Sequence, residues 1–93
     1  MSVELRTETF EPHVGSSFTA TPSLGGAPIE LTLSSCVESP HARPDHPAFS
    51  LFFAAPDPAP QPQQIFHLEH ADLGEFDLFL VPVGAQQYEA VVN

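Results

Sequence analysis

Residues 64–84, QIFHLEHADLGEFDLFLVPVG, constrain the fold more than any other stretch. They read as two β-strands joined by a tight turn at Ala71-Asp72-Leu73-Gly74. Over 65–70, Phe66 and Leu68 share one face and His67 and Glu69 the other, the period-2 alternation of a half-buried strand. Over 75–83, Phe76, Leu78 and Leu80 again share a face, but the opposite face passes from Glu75 and Asp77 to Phe79, Val81 and Val83. That strand is wet on one side at its start and apolar on both sides at its end. Something must cover the second side, or it is left for another molecule.

Four more segments alternate in the same way. Residues 17–21 do so through Phe18 and Ala20, and close on Pro22-Ser23-Leu24-Gly25-Gly26, where the Gly pair supplies the positive φ angles of a hairpin. Residues 29–37 place Ile29, Leu31, Leu33, Ser35 and Val37 on one face, with Glu30, Thr32, Ser34, Cys36 and Glu38 opposite. Residues 49–54 set Phe49, Leu51 and Phe53 against an outer side to which Phe52 adds a large apolar group. Residues 88–93 alternate Tyr88, Ala90 and Val92 with Glu89, Val91 and Asn93. Between the strands, 40–47 (PHARPDHP) and 56–63 (PDPAPQPQ) are proline-rich loops, because proline removes ladder donors and holds the residue before it extended. The second is a stiff polyproline-like spacer.

At the N-terminus, residues 1–8 are expected to be flexible or extended. Thr9-Phe10-Glu11-Pro12-His13-Val14-Gly15 carries the signals of a short helical turn. Phe10 and Val14, four apart, would share a face and form a lid over the dry side of 75–83. Residues 1–93 thus make a single domain, too small for more than one core. The expected fold is all-β: a small antiparallel six-stranded barrel or two-layer sandwich with one short N-terminal helical turn. Closure would remove edges that a Phe-rich sheet could not safely expose. Pro82 must then fall on an edge, on a bulge or at the last paired position of its strand.

Charge narrows the partners. Arg6 and Arg43 stand against twelve acidic residues, a net charge of −10, which argues against nucleic acid and anionic membranes, since both are held through Lys and Arg meeting phosphate. The carboxylates are scattered singly rather than in a stripe, so they read as solubilising charge rather than as a nucleic-acid mimic. Cys36, the single cysteine, allows no internal disulfide, and the first ten residues lack the basic start and apolar run of a signal peptide. A soluble cytoplasmic protein is expected.

The motifs FSLxF (Phe49 to Phe53), HxxLGE (His70 to Glu75), LFLVPVG (Leu78 to Gly84) and YEAVxN (Tyr88 to Asn93) come in this order, preceded by Glu8-x-Phe10 and Val14-Gly15-x-x-Phe18. Together they resemble a family of small bacterial all-β domains of unknown function, over nearly the whole chain. The resemblance implies no reaction. It does imply stand-alone bacterial proteins, some encoded beside phage-tail-like or collar-type fibre proteins, and hence an assembly or accessory role. The chain departs from the pattern in its proline-rich spacer and in His41 and His46.

Five histidines prompt the question of a metal. His67 and Glu69 on one strand face can reach one ion, with a third ligand sought from His41, Asp45 or His46 in the proline loop. No spacing matches an established zinc pattern, so these are weak candidates, and His70 is better read as closing the turn near Asp72 and Glu75. Cys36, on a strand of an acidic protein, has none of the cationic surroundings that activate a thiol. Glu75 and Asp77 share a face but stand beside a turn with no sign of a pocket. No catalytic residue and no cofactor is assigned. The sequence therefore favours a non-catalytic interaction module, with a protein partner or a second copy of the chain, working through a patch of Phe52, Phe79, Val81 and Val83. The alternative is a small-ligand- or metal-binding β-barrel with hydrolytic activity.

Overall fold

The computed structural model describes residues 6–40, 48–55, 63–84 and 86–92. Its six strands are β1 (Ser17–Pro22), β2 (Ile29–Glu38), β3 (Phe49–Ala54), β4 (Gln64–His70), β5 (Gly74–Gly84) and β6 (Gln87–Val92). All pair antiparallel, in the order β1-β2-β3-β6-β5-β4, and β1 pairs with β4 to close a barrel. Two three-stranded meanders, β1-β2-β3 and β4-β5-β6, thus meet along both seams. β3 and β4 are not neighbours in the ring, so the proline-rich connection joins strands from different seams. Of the expected loops over 40–47 and 56–63, residues 41–47 and 56–62 lie outside the described residues, and with them His41, Asp45 and His46.

The barrel interior is the apolar half of each alternation. Phe18, Ala20, Leu31, Leu33, Leu51, Phe53, Phe66, Leu68, Leu80 and Tyr88 are all fully buried in one cluster. Rings meet edge-on across it, Phe18 to Phe53 at 5.4 Å between centroids and Phe66 to Tyr88 at 5.5 Å, the geometry that their quadrupoles favour. Gln64 is buried as well, and its Oε1 accepts the Leu24 N–H at 2.9 Å, tying the β1–β2 turn to the start of β4. In that turn Gly25 and Gly26 have φ of 102° and 130°, values that residues with a side chain rarely adopt.

Two irregularities decide which side chains face in. In β2 the register with β3 passes from Leu33↔Phe53 to Ser35↔Phe52, leaving Ser34 as the extra residue of a bulge, where its hydroxyl donates to the Phe52 carbonyl at 2.9 Å. Each bulge reverses the parity of a strand. Cys36 therefore faces inward opposite Leu51, while Val37 is turned outward and is 52% exposed. The uninterrupted alternation expected over 29–37 is corrected at that point, because a ten-residue strand must bend to follow a closed barrel. In β5 the register with β6 shifts between Pro82 and Gly84, so Pro82 sits at a bulge, one of the three places open to it.

The N-terminal lid is also corrected. α1 (Thr7–Phe10) runs into a 3-10 turn (Glu11–His13), so Thr7 and Glu8 are helical rather than extended. Phe10 is fully buried and plugs the mouth of the barrel, its ring 6.0 Å from Phe49 and 5.6 Å from Phe76. Val14 does not accompany it. The helical segment ends at His13, Val14 is extended (φ −60°, ψ 129°), and its side chain is 47% exposed. The four-residue spacing that would align the two holds only while the helix continues. Phe10→Ala is expected to cost about 3–5 kcal/mol through the cavity left at the mouth. Val14→Ala should stay within about 0.5 kcal/mol. Urea denaturation of the two variants measures both, and equal losses would show that Phe10 is not the plug.

Candidate functional site

The described surface has two places where chemistry-bearing side chains converge, both on the β4–β5 hairpin. The hairpin's turn explains why. The ladder runs Gln64↔Leu80 through His67↔Asp77 and Glu69↔Glu75 to His70↔Gly74, which leaves Ala71, Asp72 and Leu73 as a three-residue loop. Gly74 then has φ of 87°, the left-handed position with which three-residue hairpins commonly end.

At the barrel mouth, His70 closes this loop. Its Nδ1 accepts the N–H groups of Asp72 at 3.0 Å and Leu73 at 3.2 Å. A ring nitrogen that accepts two N–H groups carries no proton, so the proton is on Nε2, which donates to Ser16 Oγ at 2.9 Å. The Ser16 hydroxyl in turn donates to the His13 carbonyl. This chain of bonds clamps the turn to the segment behind the helical plug. It is also the wrong tautomer for catalysis, since a histidine that donates to a serine cannot take that serine's proton. The His70 ring lies 4.4 Å from Phe18 and 4.8 Å from His13. Burial pushes its pKa down, and the neighbouring His13 adds to the effect against the opposing pull of Asp72. His13, His70 and Asp72 are close enough to share an ion, but both nitrogens of His70 are already engaged.

On the outer face, His67 is held between carboxylates. Nδ1 meets Asp77 Oδ1 at 2.8 Å, Nε2 meets Glu75 Oε1 at 2.8 Å, and Glu69 Oε1 lies 3.9 Å from the same Nε2. Hydrogen bonds accepted by Asp77 first and then by Glu75 raise the His67 pKa. An open groove of about 520 Å³ borders this cluster, lined by Thr19, Glu69, Gly74 and Glu75 among others. The expected pair His67 and Glu69 is thus brought together, and among the described residues Glu75 of the paired strand stands with them, while the expected third ligands His41, Asp45 and His46 lie outside the described residues. Glu75 escaped notice because a four-residue turn over 71–74 would put Glu69 opposite Phe76. The three-residue loop shifts the register by one position and sets the two glutamates face to face.

The apolar patch lies alongside. Phe79 is 51% exposed and pairs with Ile65, which is 50% exposed. Phe52 and Val81 are half-buried and flank Glu89 across β6, while Val83, in the β5 bulge, is exposed. Val91 and the outward-turned Val37 stand on either side of Ser50 and extend the patch. The strand parity of 65–70 and 88–93 already placed Ile65 and Val91 outward. Cys36 is half-buried, its thiol pKa raised first by burial and then by Glu11, Glu38 and Glu8, as its acidic setting led one to expect.

These features define a class: a small closed antiparallel barrel whose interior is given over to packing and whose chemistry and exposed apolar groups are on its outer face. Among the described residues no helix is long and apolar enough to cross a membrane. The chain belongs to the family described as a domain of unknown function, DUF6916, which it matches over residues 5–92. No curated protein and no solved structure matches it.

The two histidines should titrate on opposite sides of the free value of about 6.5. Folding raises the pKa of His67, so its contribution to stability is present below about 6.5 and fades as pH rises through the folded-state value. Folding lowers the pKa of His70, so its contribution is present above about 6.5 and is lost as pH falls through the folded-state value. Ring-proton NMR titration checks the order of the two midpoints, and a His70 midpoint above that of His67 would refute it.

Proposed function

We propose that this domain is a non-catalytic interaction module that docks a protein partner on the outer face of β5 and the strands beside it. The observation that carries the reading is Phe79, half exposed opposite a half-exposed Ile65 on a strand whose other face is core. The only segment expected to cover it, the N-terminal helical turn, inserts Phe10 into the barrel mouth instead. A phenylalanine left half in water forgoes about 1 kcal/mol of burial, and a patch of such residues regains it by binding.

The setting of the patch defines the partner's chemistry. Glu89 lies within it and Glu69, Glu75 and Asp77 border it, so the complementary surface presents apolar side chains flanked by Lys or Arg. A second copy fits less well, because bringing together two chains of net charge −10 is opposed by repulsion, most strongly at low salt. The same charge disfavours nucleic acid and anionic membranes. The resemblance to bacterial domains encoded beside phage-tail-like or fibre proteins makes a subunit of such an assembly, met in the cytoplasm, our first partner class.

Immobilised wild-type chain, Phe79→Asp and Val14→Asp, each exposed to an extract of the source organism, test the proposal. A partner should be retained by the wild type and by Val14→Asp, which adds the same charge at an exposed position outside the patch, and lost from Phe79→Asp. Sedimentation of the purified chain then tells a foreign partner from a second copy. Retention unchanged in Phe79→Asp, or a strict monomer that retains nothing, would sink the reading.

A further inference from the structure

We propose that His67, Glu69 and Glu75 form a binding site for one divalent transition-metal ion on the outer face of the β4–β5 hairpin, with Asp77 as the residue that orients the histidine. The inference does not depend on the docking surface.

The histidine makes this more than a group of exposed acids. Asp77 Oδ1 accepts from Nδ1 at 2.8 Å, which fixes the rotation of the ring and directs Nε2 at the two glutamates. A carboxylate behind one nitrogen and a metal at the other is the arrangement by which proteins hold a ligating histidine. Glu75 and Glu69 oxygens lie 2.8 and 3.9 Å from Nε2, and one ligand atom from each of the three residues lies within 4.8 Å of the others. Ligand atoms around an ion with bonds of about 2.0–2.1 Å stand about 3.3 Å apart on a tetrahedron, so small side-chain rotations close the set.

The backbone supports the same conclusion. Glu69 and Glu75 are direct cross-strand partners, one pair from the turn end of an unbroken ladder. Like charges facing each other on neighbouring strands destabilise a sheet unless a cation stands between them. An imidazole with two carboxylates suits Zn²⁺ and its neighbours rather than Ca²⁺ or Mg²⁺, which take oxygen ligands throughout. Three protein ligands leave a coordination position for water or for a group from another molecule.

Isothermal titration of the metal-free full chain with ZnCl₂ at neutral pH is the test, read together with melting temperature and with the ¹⁵N resonances of the His67 ring. The expected result is one equivalent bound, a higher melting temperature and a displaced Nε2 resonance. His67→Asn should abolish binding, and Glu69→Gln and Glu75→Gln should each weaken it about tenfold or more. Asp77→Asn, which touches no metal, should weaken it about 10- to 100-fold. His13→Asn and the double change of His41 and His46 to Asn should leave it unchanged. All four site residues are partly exposed, and circular dichroism verifies that each variant is folded. The proposal is overturned by a wild type that shows no saturable binding, by binding that survives His67→Asn, or by binding lost on changing His41 and His46.

Discussion

The β1–β4 seam is the contact on which the rest of the structure rests. Thr19, Ala20, Thr21 and Pro22 pair with Glu69, Leu68, His67 and Phe66, residues far away along the chain, and this converts two meanders into a closed ring. An open sheet with so many inward phenylalanines would present two free edges and an uncovered apolar face. Closure removes both at once, and it also gives each strand an inside and an outside. The price is a pair of open ends, and one of them is sealed by a ring from outside the sheet, that of Phe10, against Phe49 and Phe76.

Once the interior is filled by Phe, Leu and Tyr side chains, function is pushed to the surface. Barrels of this size have room for side chains and little else. The β4–β5 hairpin has two faces that differ in kind. Inward it contributes Phe66, Leu68, Leu78 and Leu80 to the core. Outward it carries His67 among carboxylates near the turn and Phe79 with Ile65 farther along. The three-residue loop, clamped by His70, holds both outer groups in register. A slip of one position would bury the charges and expose the core, which is why a side chain is spent on securing the turn.

Much of this was legible in the residues. Alternation located six strands to within one or two positions, and the proline-rich segments separated them, because period-2 patterning and the lost N–H of proline are local properties. The bulge at Pro82 was among the outcomes that proline allows, whereas the raised pKa of Cys36 owes more to its burial than to the acidic neighbours the sequence showed. Val37 was misplaced, since nothing local to Ser34 announces an extra residue. Val14 was misplaced too, because a helix's stopping point decides which residues share its face.

By itself, then, the sequence determined the class of fold, the sidedness of most strands and the presence of an apolar outer stretch on β5, all of which follow from neighbours along the chain. Tertiary structure decided whether the sheet closes as a barrel, that Phe10 fills its mouth rather than covering Phe79, and that Glu75 stands beside His67 and Glu69. Each of those depends on register or closure between segments distant in sequence, where a difference of one residue changes every partner.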